Sequence, residues 1–181
     1  FLSFWSKLNM EKNNNILYVI AYKNFQDEEY FETKKIFENS GYKTKISSSI
    51  IGEGHGKLGS SINIELLFSE VDAVNFDAIV FIGGLGSIAL WDDWRAQGLS
   101  KLFLENKKIV AGIGSGVVIM ANAGILKNIK ATCLSADESH VRHGEADIVG
   151  GNVVISGNII TADGPKSAKE FANTLINVLK N

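Results

Sequence analysis

The chain has 181 residues, of which 45% are hydrophobic and 21% charged, and these proportions exclude a disordered or collagen-like protein. Its 18 basic and 20 acidic residues give a net charge of −2, and no basic cluster predicts nucleic-acid binding. No apolar run reaches the roughly 20 residues of a membrane span, so we predict no membrane partner. The single cysteine, Cys133, excludes an internal disulfide and favours the cytoplasm.

The first 15 residues differ in character from the rest. Phe1, Phe4 and Trp5 precede the polar run of residues 11–15, and the segment has none of the features of a signal peptide. We predict that residues 1–15 form a leader that is either frayed or docked on the surface. Residues 16–181 are predicted to form a single domain.

Strand-like and helix-like segments alternate through the first half of this domain. A buried strand is predicted over Ile16–Tyr22 and a helix over Asp27–Ser40, since acidic residues begin that helix and Gly41 follows it. A second strand follows over Tyr42–Ser47. Residues 50–67 predict two short strands around the turn GEGHGKLG, an excursion from the main sheet.

The second half continues the alternation. Two further buried strands are predicted, Asp77–Ile82 and the run KKIVAGI, each followed by a glycine-rich turn and a helix. The first of these helices is predicted over Ile88–Asn106. A hairpin is predicted near Ser156-Gly157, and Pro165 is predicted to begin an amphipathic last helix. The pattern predicts a doubly wound α/β domain with a mainly parallel sheet, flavodoxin-like, in three α/β/α layers.

Ligands in such folds bind at the carboxyl ends of the parallel strands. Three segments are predicted to meet there: Lys23–Gln26, Gly83-Gly84 and Gly112–Gly116. The last has the pattern of a nucleophile elbow, a sharp turn that raises one side chain above the sheet. With Gly116 as the packing glycine, the nucleophile position is Gly114, which has no side chain.

Four stretches together resemble the ThiJ/PfpI superfamily, which is glutamine-amidotransferase-like, and its intracellular protease branch in particular. They are YKNFQDEE, FDAIVFIGG, KIVAGIGSGVVIMANAGILKNIKAT and GNIITADGPKSAKEFA. The resemblance implies a parallel sheet between helical layers and a homodimer or larger homo-oligomer. It also implies an elbow cysteine flanked by a carboxylate from the loop after the first strand, and often by a histidine.

Transferred by position, the resemblance places the cysteine at Gly114, the glutamate at Gln26 and the histidine at Leu134. None of these side chains ionises, so no catalytic residue is predicted to be intact. The residue that is histidine in the protease branch corresponds to Ser115. An acid from a neighbouring subunit would come from near Ile88.

The same transfer places Asp163 where one branch commonly has an arginine, so anion contacts from that position are not expected. Backbone amides and the start of a helix remain as potential donors to an oxyanion or carboxylate. The predicted ligand-binding residues are Gln26, Gly83, Gly84, Gly114, Ser115 and Gly116. No cofactor is predicted, and a charge-neutral pocket predicts little effect of salt on binding.

Two hypotheses about function follow. In the first, the chain is a non-catalytic homo-oligomer with a binding, regulatory or scaffold role, related to stress. In the second, it is a hydrolase or lyase that works without the elbow cysteine on a small carbonyl compound, amide or isonitrile. Gln26, Ser115 and a bound water would then carry the chemistry.

Weaker candidates each have a plainer interpretation. Ser115 is either a substitute nucleophile or a capping residue, and Cys133 is either a displaced nucleophile or redox sensor or an inert buried thiol. His140 and His143 are weak metal ligands or part of a solvated loop.

Two other patterns are also ambiguous. The Gly112-x-Gly114-x-Gly116 run fails the dinucleotide-binding pattern, because Val117 stands where the third glycine is needed. Trp91 and Trp94 are expected in packing or in a dimer interface rather than in a cofactor site.

Overall fold

The computed structural model describes residues 12–181. Within that range there are twelve strands and six α-helices. The strands are β1 Asn15–Val19, β2 Lys23–Phe25, β3 Lys43–Ser48, β4 Gly52–Gly56, β5 Ser61–Ile64, β6 Leu66–Leu67, β7 Ala78–Phe81, β8 Ile109–Ile113, β9 Lys130–Ala131, β10 Asp147–Ile148, β11 Val153–Ser156 and β12 Ile159–Ala162. The helices are α1 Asp27–Asn39, α2 Ile88–Trp91, α3 Trp94–Glu105, α4 Val117–Asn122, α5 Glu138–His143 and α6 Ala168–Lys180.

Seven strands form the central sheet, in the order β11-β12-β8-β7-β1-β3-β6. Every neighbouring pair is parallel except β11 with β12, which form the hairpin predicted near Ser156-Gly157. The inner strands are buried on both faces, which explains their continuous apolar runs. The register pairs Phe81 with Gly112 and Ala162 with Ile113, so β7, β8 and β12 end at the same edge.

Each face of the sheet has its own hydrophobic core, because alternate residues of every strand point to opposite sides. In β1, Leu17 and Val19 pack with residues of α2 to α5, whereas Ile16 and Tyr18 pack with residues of α1 and α6. The predicted three-layer sandwich with a mainly parallel sheet is therefore confirmed.

Three details differ from the prediction. The helix predicted over residues 88–106 is interrupted, because the side chain of Asp93 accepts a hydrogen bond from the Arg95 amide and caps α3. The GEGHG segment is strand β4 rather than a turn, and it pairs with β2 and β5. Pro165 begins a 3₁₀ turn, and α6 follows it from Ala168.

The predicted leader falls mostly on residues 1–11, which lie outside the described residues. Residues 12–14 contact the domain: Lys12 Nζ donates to the Leu179 carbonyl at 2.7 Å, and the Asn13 and Asn14 amides donate to the Asp77 carboxylate. From residue 12 onward, none of the helices is both long and apolar enough to cross a bilayer.

Candidate functional site

The turn after β8 has the geometry of an elbow. Gly114 lies at φ +59°, a left-handed conformation that glycine adopts at little cost. Its neighbours begin a 3₁₀ turn that leads into α4. A Cβ on Gly116 would collide with the carbonyl oxygen of Phe81, so the absence of a side chain there lets the turn pack closely against the end of β7.

The other glycine turn lies against the elbow. A Cβ on Gly83 would lie 2.7 Å from the Ser115 amide nitrogen, and one on Gly84 would approach the backbone of Phe25 and Gln26. The Gln26 amide donates to the Gly83 carbonyl at 3.0 Å. The structure thus brings the predicted residues from all three segments together.

A buried carboxyl group that the sequence reasoning missed lies within this cluster. Glu29, in the first turn of α1, is 2% exposed, and its Oε2 accepts a hydrogen bond of 2.7 Å from the Gly83 amide. Burial raises its pKa from 4.5 to about 8, the Gly83 hydrogen bond opposes that rise and the charge of Glu28 adds to it. At neutral pH Glu29 is therefore mostly protonated.

The Glu29 carboxyl also faces Gly114. A Cβ on residue 114 would meet Glu29 Oε1 and lie 3.2 Å from Glu29 Cδ. The carboxyl therefore fills the space in which a side chain at the elbow would begin. The first turn of α1 thus lies directly against the elbow.

The assignment of the acidic position to Gln26 is wrong. Gln26 precedes α1, is only half-buried, and its side-chain amide donates to the Glu28 carboxylate. The acid beside the elbow is Glu29, one helical turn further on. A usable signal was present, because Glu29, Thr33 and Phe37 recur every four residues on the buried face of α1.

The expectation that the Gly83 amide is free for a ligand is also wrong, since Glu29 Oε2 takes its hydrogen bond. Ser115 is 8% exposed, and its carbonyl accepts a hydrogen bond of 3.1 Å from the indole of Trp91. Along residues 12–181, no hydrogen bond joins the Ser115 hydroxyl to a histidine or lysine. Among the described residues, Ser115 therefore has no histidine or lysine partner of the kind that activates a serine nucleophile.

A cavity of about 560 Å³ opens at the same edge of the sheet. Of the three positions to which the resemblance assigned catalytic groups, Gly114, Gln26 and Leu134, only Leu134 lines it. None of the six predicted ligand-binding residues does. Its walls come from the start of α1, the segment around β9 and α5, and the turn after β12. The lining residues are Glu28, Thr132, Cys133, Leu134, Ser135, Glu138, Gly150, Gly151, Asp163, Gly164, Pro165 and Lys166.

This cavity carries charge, whereas the neutral pocket was predicted for the elbow residues, which do not line it. Glu28, Glu138 and Asp163 line it together with one cation, Lys166. Sequence reasoning missed the acids because they come from segments far apart in the chain. Asp163 directly follows β12, whose last residue pairs with Ile113, so it lies beside the elbow across the sheet edge.

Cys133 lies in the wall of the cavity but is only 4% exposed. Burial, together with the neighbouring Glu138 and Asp137 carboxylates, raises the pKa of its thiol to about 12, and the positive charge of Arg142 partly opposes that rise. A thiol with that pKa has almost no thiolate at neutral pH and is a poor nucleophile. The geometry thus favours the inert thiol over the displaced nucleophile.

His140 and His143 lie on α5 and border a second cavity, of about 570 Å³, together with Trp91. The rings of His140 and Trp91 are 4.8 Å apart. Over residues 12–181, no group of three or more His, Cys, Asp or Glu side chains is arranged to hold a metal ion.

Known proteins share sequence with this chain over most of its length. The model of the DJ-1/PfpI family matches residues 14–178. The chain belongs to the DJ-1/PfpI family. An uncharacterized protein of Methanocaldococcus jannaschii is 37% identical over 93% of this chain and 84% of its own length. A protein of Thermococcus kodakarensis named as a deglycase is 27% identical over 90% of this chain and 98% of its own.

Solved structures of the DJ-1/PfpI family have the same fold. The crystal structure of a ThiJ/PfpI domain protein from Brachyspira murdochii is 71% identical, covers 93% of this chain and 98% of its own, and superposes with a TM-score of 0.92. Drosophila melanogaster DJ-1beta superposes with a TM-score of 0.79 at 20% identity, over 91% of this chain and 89% of its own. The fold expected from the resemblance is thus confirmed.

Proposed function

We propose that this member of the DJ-1/PfpI family is a non-catalytic protein with a regulatory or stress-related role that binds a small molecule in the cavity beside the elbow. The contact between Glu29 and Gly114 carries the proposal. The elbow offers no side chain to attack a substrate, and the carboxyl group fills the room that such a side chain would need. Relatives named as deglycases suggest that an ancestor of this site had deglycase activity.

The state of Glu29 supports binding rather than nucleophilic attack. A protonated carboxyl is a hydrogen-bond donor and a weak nucleophile. The Gly83 amide, which would otherwise face an oxyanion, is already bonded to Glu29. Because the thiol of Cys133 is also protonated at neutral pH, the site presents hydrogen-bonding groups without a reactive one.

The experiment is turnover of methylglyoxal by the wild type, Gly114→Cys and, as the matched control, Gly114→Ala. Both variants add a Cβ at the elbow, but only one adds a thiol. We expect turnover only with Gly114→Cys. Turnover by the wild type would contradict the proposal.

A further variant deals with the crowding at residue 114. If the added Cβ displaces Glu29, Gly114→Cys combined with Glu29→Asp provides a shorter acid and more space. Gln26→Glu is not needed, because the acid is already present one turn further on. If neither cysteine variant has activity, the idea that only the nucleophile has been lost is wrong.

A second candidate function rests on the pKa of Glu29. A carboxyl group with a pKa of about 8 suits general acid–base catalysis near neutral pH, without a covalent intermediate. In that case the wild type would turn over a small carbonyl compound, Glu29→Gln would abolish the activity, and Glu28→Gln at the exposed neighbouring position would retain it.

We also propose that the protein forms a homodimer or larger homo-oligomer in the cytoplasm. Leu85, Ile88 and Trp94 follow the Gly83-Gly84 turn and are 67%, 50% and 78% exposed. Exposed apolar side chains that lie close together often mark an interface. Sedimentation of the wild type and of Ile88→Asp tests this proposal. If the wild type is oligomeric and Ile88→Asp has the same molar mass, the interface lies elsewhere.

A further inference from the structure

A smaller cavity, of about 240 Å³, lies at the edge of the sheet opposite the elbow. Asp77, Ile109 and Asn158 line it, at the beginnings of β7, β8 and β12, the strands whose other ends meet at the elbow. Tyr42 and the last turn of α6 line the remaining sides. This cavity is therefore separate from the one beside the elbow.

Positive charge predominates in the small cavity. Lys12, Lys107 and Lys108 line it against one carboxylate, that of Asp77. Both oxygens of that carboxylate already accept backbone amides, those of residues 13 and 14, at 3.0 and 2.7 Å. Among residues 12–181, none of the three ammonium groups forms an ion pair with a carboxylate. The three lysines thus leave an excess of positive charge that would attract an anion.

Two of the lysines occupy the positions that end helix α3. The Lys107 amide donates to the Leu104 carbonyl at 3.0 Å and the Lys108 amide to that of Phe103 at 2.9 Å, the paired bonds of a Schellman motif. Lys107 has a φ of +57°, and glycine is the usual residue there because it adopts that conformation at less cost. The position of Lys108 commonly holds an apolar residue that packs on the helix. Lysine is the less stabilising choice at both positions, which indicates a role beyond ending the helix.

Lys108 provides the observation that indicates a ligand. The residue is 8% exposed, so its hydrocarbon stem takes the apolar place of the motif. Its ammonium group donates no hydrogen bond within residues 12–181, yet it is not one of their fully enclosed polar atoms, so it opens into the cavity that the residue lines. A nearly buried charge without a partner is costly, and an anion in the cavity would supply the missing acceptors.

The rest of the lining adds hydrogen-bond donors. Lys12 Nζ donates one proton to the Leu179 carbonyl at 2.7 Å, which offsets the negative end of α6 and leaves two protons for a ligand. The Tyr42 hydroxyl stays protonated, because burial and the charge of Asp77 raise its pKa. The Asn158 side-chain amide has one N–H beyond its bond to a backbone carbonyl.

We propose that this cavity binds a phosphate group, either inorganic phosphate or the phosphate of a small monoester, among Lys108, Lys107 and Lys12. Ammonium groups bind phosphate as point charges, whereas carboxylates are held especially well by the paired donors of arginine. The volume of about 240 Å³ is below the range of drug-sized ligands, so the ligand is small. The inference goes beyond the function proposed above, because the two cavities lie at opposite edges of the sheet.

Inorganic phosphate, glycerol phosphate and acetate test the ligand class, near neutral pH and at an ionic strength kept constant with sodium chloride. Binding to the full chain is followed by protein NMR at the amides of residues 107–109. We expect saturable binding of a phosphate compound and none of acetate. Tighter binding of inorganic phosphate would identify the free ion as the ligand, and tighter binding of glycerol phosphate a monoester. Acetate binding as tight as that of phosphate, or no saturable binding of either phosphate compound, would overturn the proposal.

Lys108→Met is the decisive variant, because methionine fills the place of the buried stem and removes the charge. We expect phosphate binding to weaken roughly tenfold, the loss of one charge-assisted hydrogen bond. The urea midpoint should be unchanged or higher, since an apolar residue suits that position. Lys101→Met, at an exposed position of α3, removes the same charge outside the cavity and is the matched control.

Lys12→Met provides a second test if Lys108→Met does not fold. Lys12 is exposed, so its replacement leaves the core intact, and phosphate binding should again weaken several-fold. Unchanged phosphate affinity in Lys12→Met and in a folded Lys108→Met would overturn the assigned site. A loss in Lys101→Met as large as theirs would indicate a diffuse charge effect and would also overturn it.

Discussion

The carboxyl group of Glu29 lies against the Cα of Gly114, in the space that the Cβ of any larger residue at position 114 would occupy. The same group accepts the Gly83 amide, so one side chain links helix α1 to the turns after β7 and β8. Substituting Glu29 or Gly114 should therefore perturb α1 and the turns after β7 and β8.

Gly114→Ala should lower the free energy of unfolding by about 1 to 3 kcal/mol, from backbone strain at positive φ and from the contact with Glu29. Gly124→Ala is the matched control, because Gly124 also has a positive φ but a Cβ there would meet nothing within 4 Å. Urea unfolding of both variants measures the difference. Equal losses would mean that Glu29 moves aside freely.

Glu29 should make the protein less stable as pH rises. Its pKa is about 8 in the folded state against 4.5 ordinarily, so between these values the folded state holds a proton that the unfolded chain has released. The contribution of Glu29 to the free energy of unfolding is therefore largest below about pH 4.5. It falls by on the order of a few kcal/mol as the pH rises to about 8.

Glu29→Gln should flatten this dependence, while Glu28→Gln should not. The lowered pKa values of Asp27 and Asp93 act only in more acidic solution, so they do not obscure the window. Urea unfolding midpoints, measured at several pH values between about 4.5 and 8, test this prediction. A wild type as stable at pH 8 as at pH 5 would show that Glu29 ionises without cost.

Trp91→Phe should cost about 1 kcal/mol of stability, because it removes the hydrogen bond from the indole to the Ser115 carbonyl and keeps an aromatic ring beside His140. Trp94→Phe is the control, since Trp94 is 78% exposed. Amide hydrogen exchange at residues 115–118 should speed up in the first variant only. Unchanged exchange in Trp91→Phe would mean that the turn is held by other contacts.

Cys133 should react slowly with a disulfide reagent such as dithionitrobenzoate in the folded protein at neutral pH. Its thiol is 4% exposed and its pKa is about 12, so thiolate is scarce. The same reaction in concentrated urea should be rapid and provides the reference. Comparable rates in the two conditions would show that the cavity admits the reagent and that the thiolate is accessible.

The order of the layers was predictable because the inner strands are continuous apolar runs, and such runs occur where a strand is covered on both faces. The acid beside the elbow was missed, although its spacing with Thr33 and Phe37 indicated a buried position. Asp27, Glu28 and Glu29 all suit the positive end of a helix, and the rotation about the helix axis decides that Glu29 is the one at the elbow. That rotation is set by Phe37 and other residues that pack against the sheet.

Other errors also arose from partners distant in the chain. Strand β4 contains three glycines, which ordinarily indicate a turn. Two of them fit where a side chain would not, because a Cβ on Gly54 would collide with Ile64 and one on Gly56 with Asp27, and the third, Gly52, has a positive φ. The charge of the cavity likewise depends on segments that only the folded chain brings together.

The contact between Glu29 and Gly114 also bears on how the elbow can change over evolutionary time. Some glycine codons become cysteine codons by a single base change, so the thiol itself is within easy mutational reach. The new Cβ would meet the Glu29 carboxyl, which is the far end of a flexible side chain and would have to shift. Reacquisition of the nucleophile would therefore need one base change and one side-chain movement, and the acid would already stand beside the new thiol.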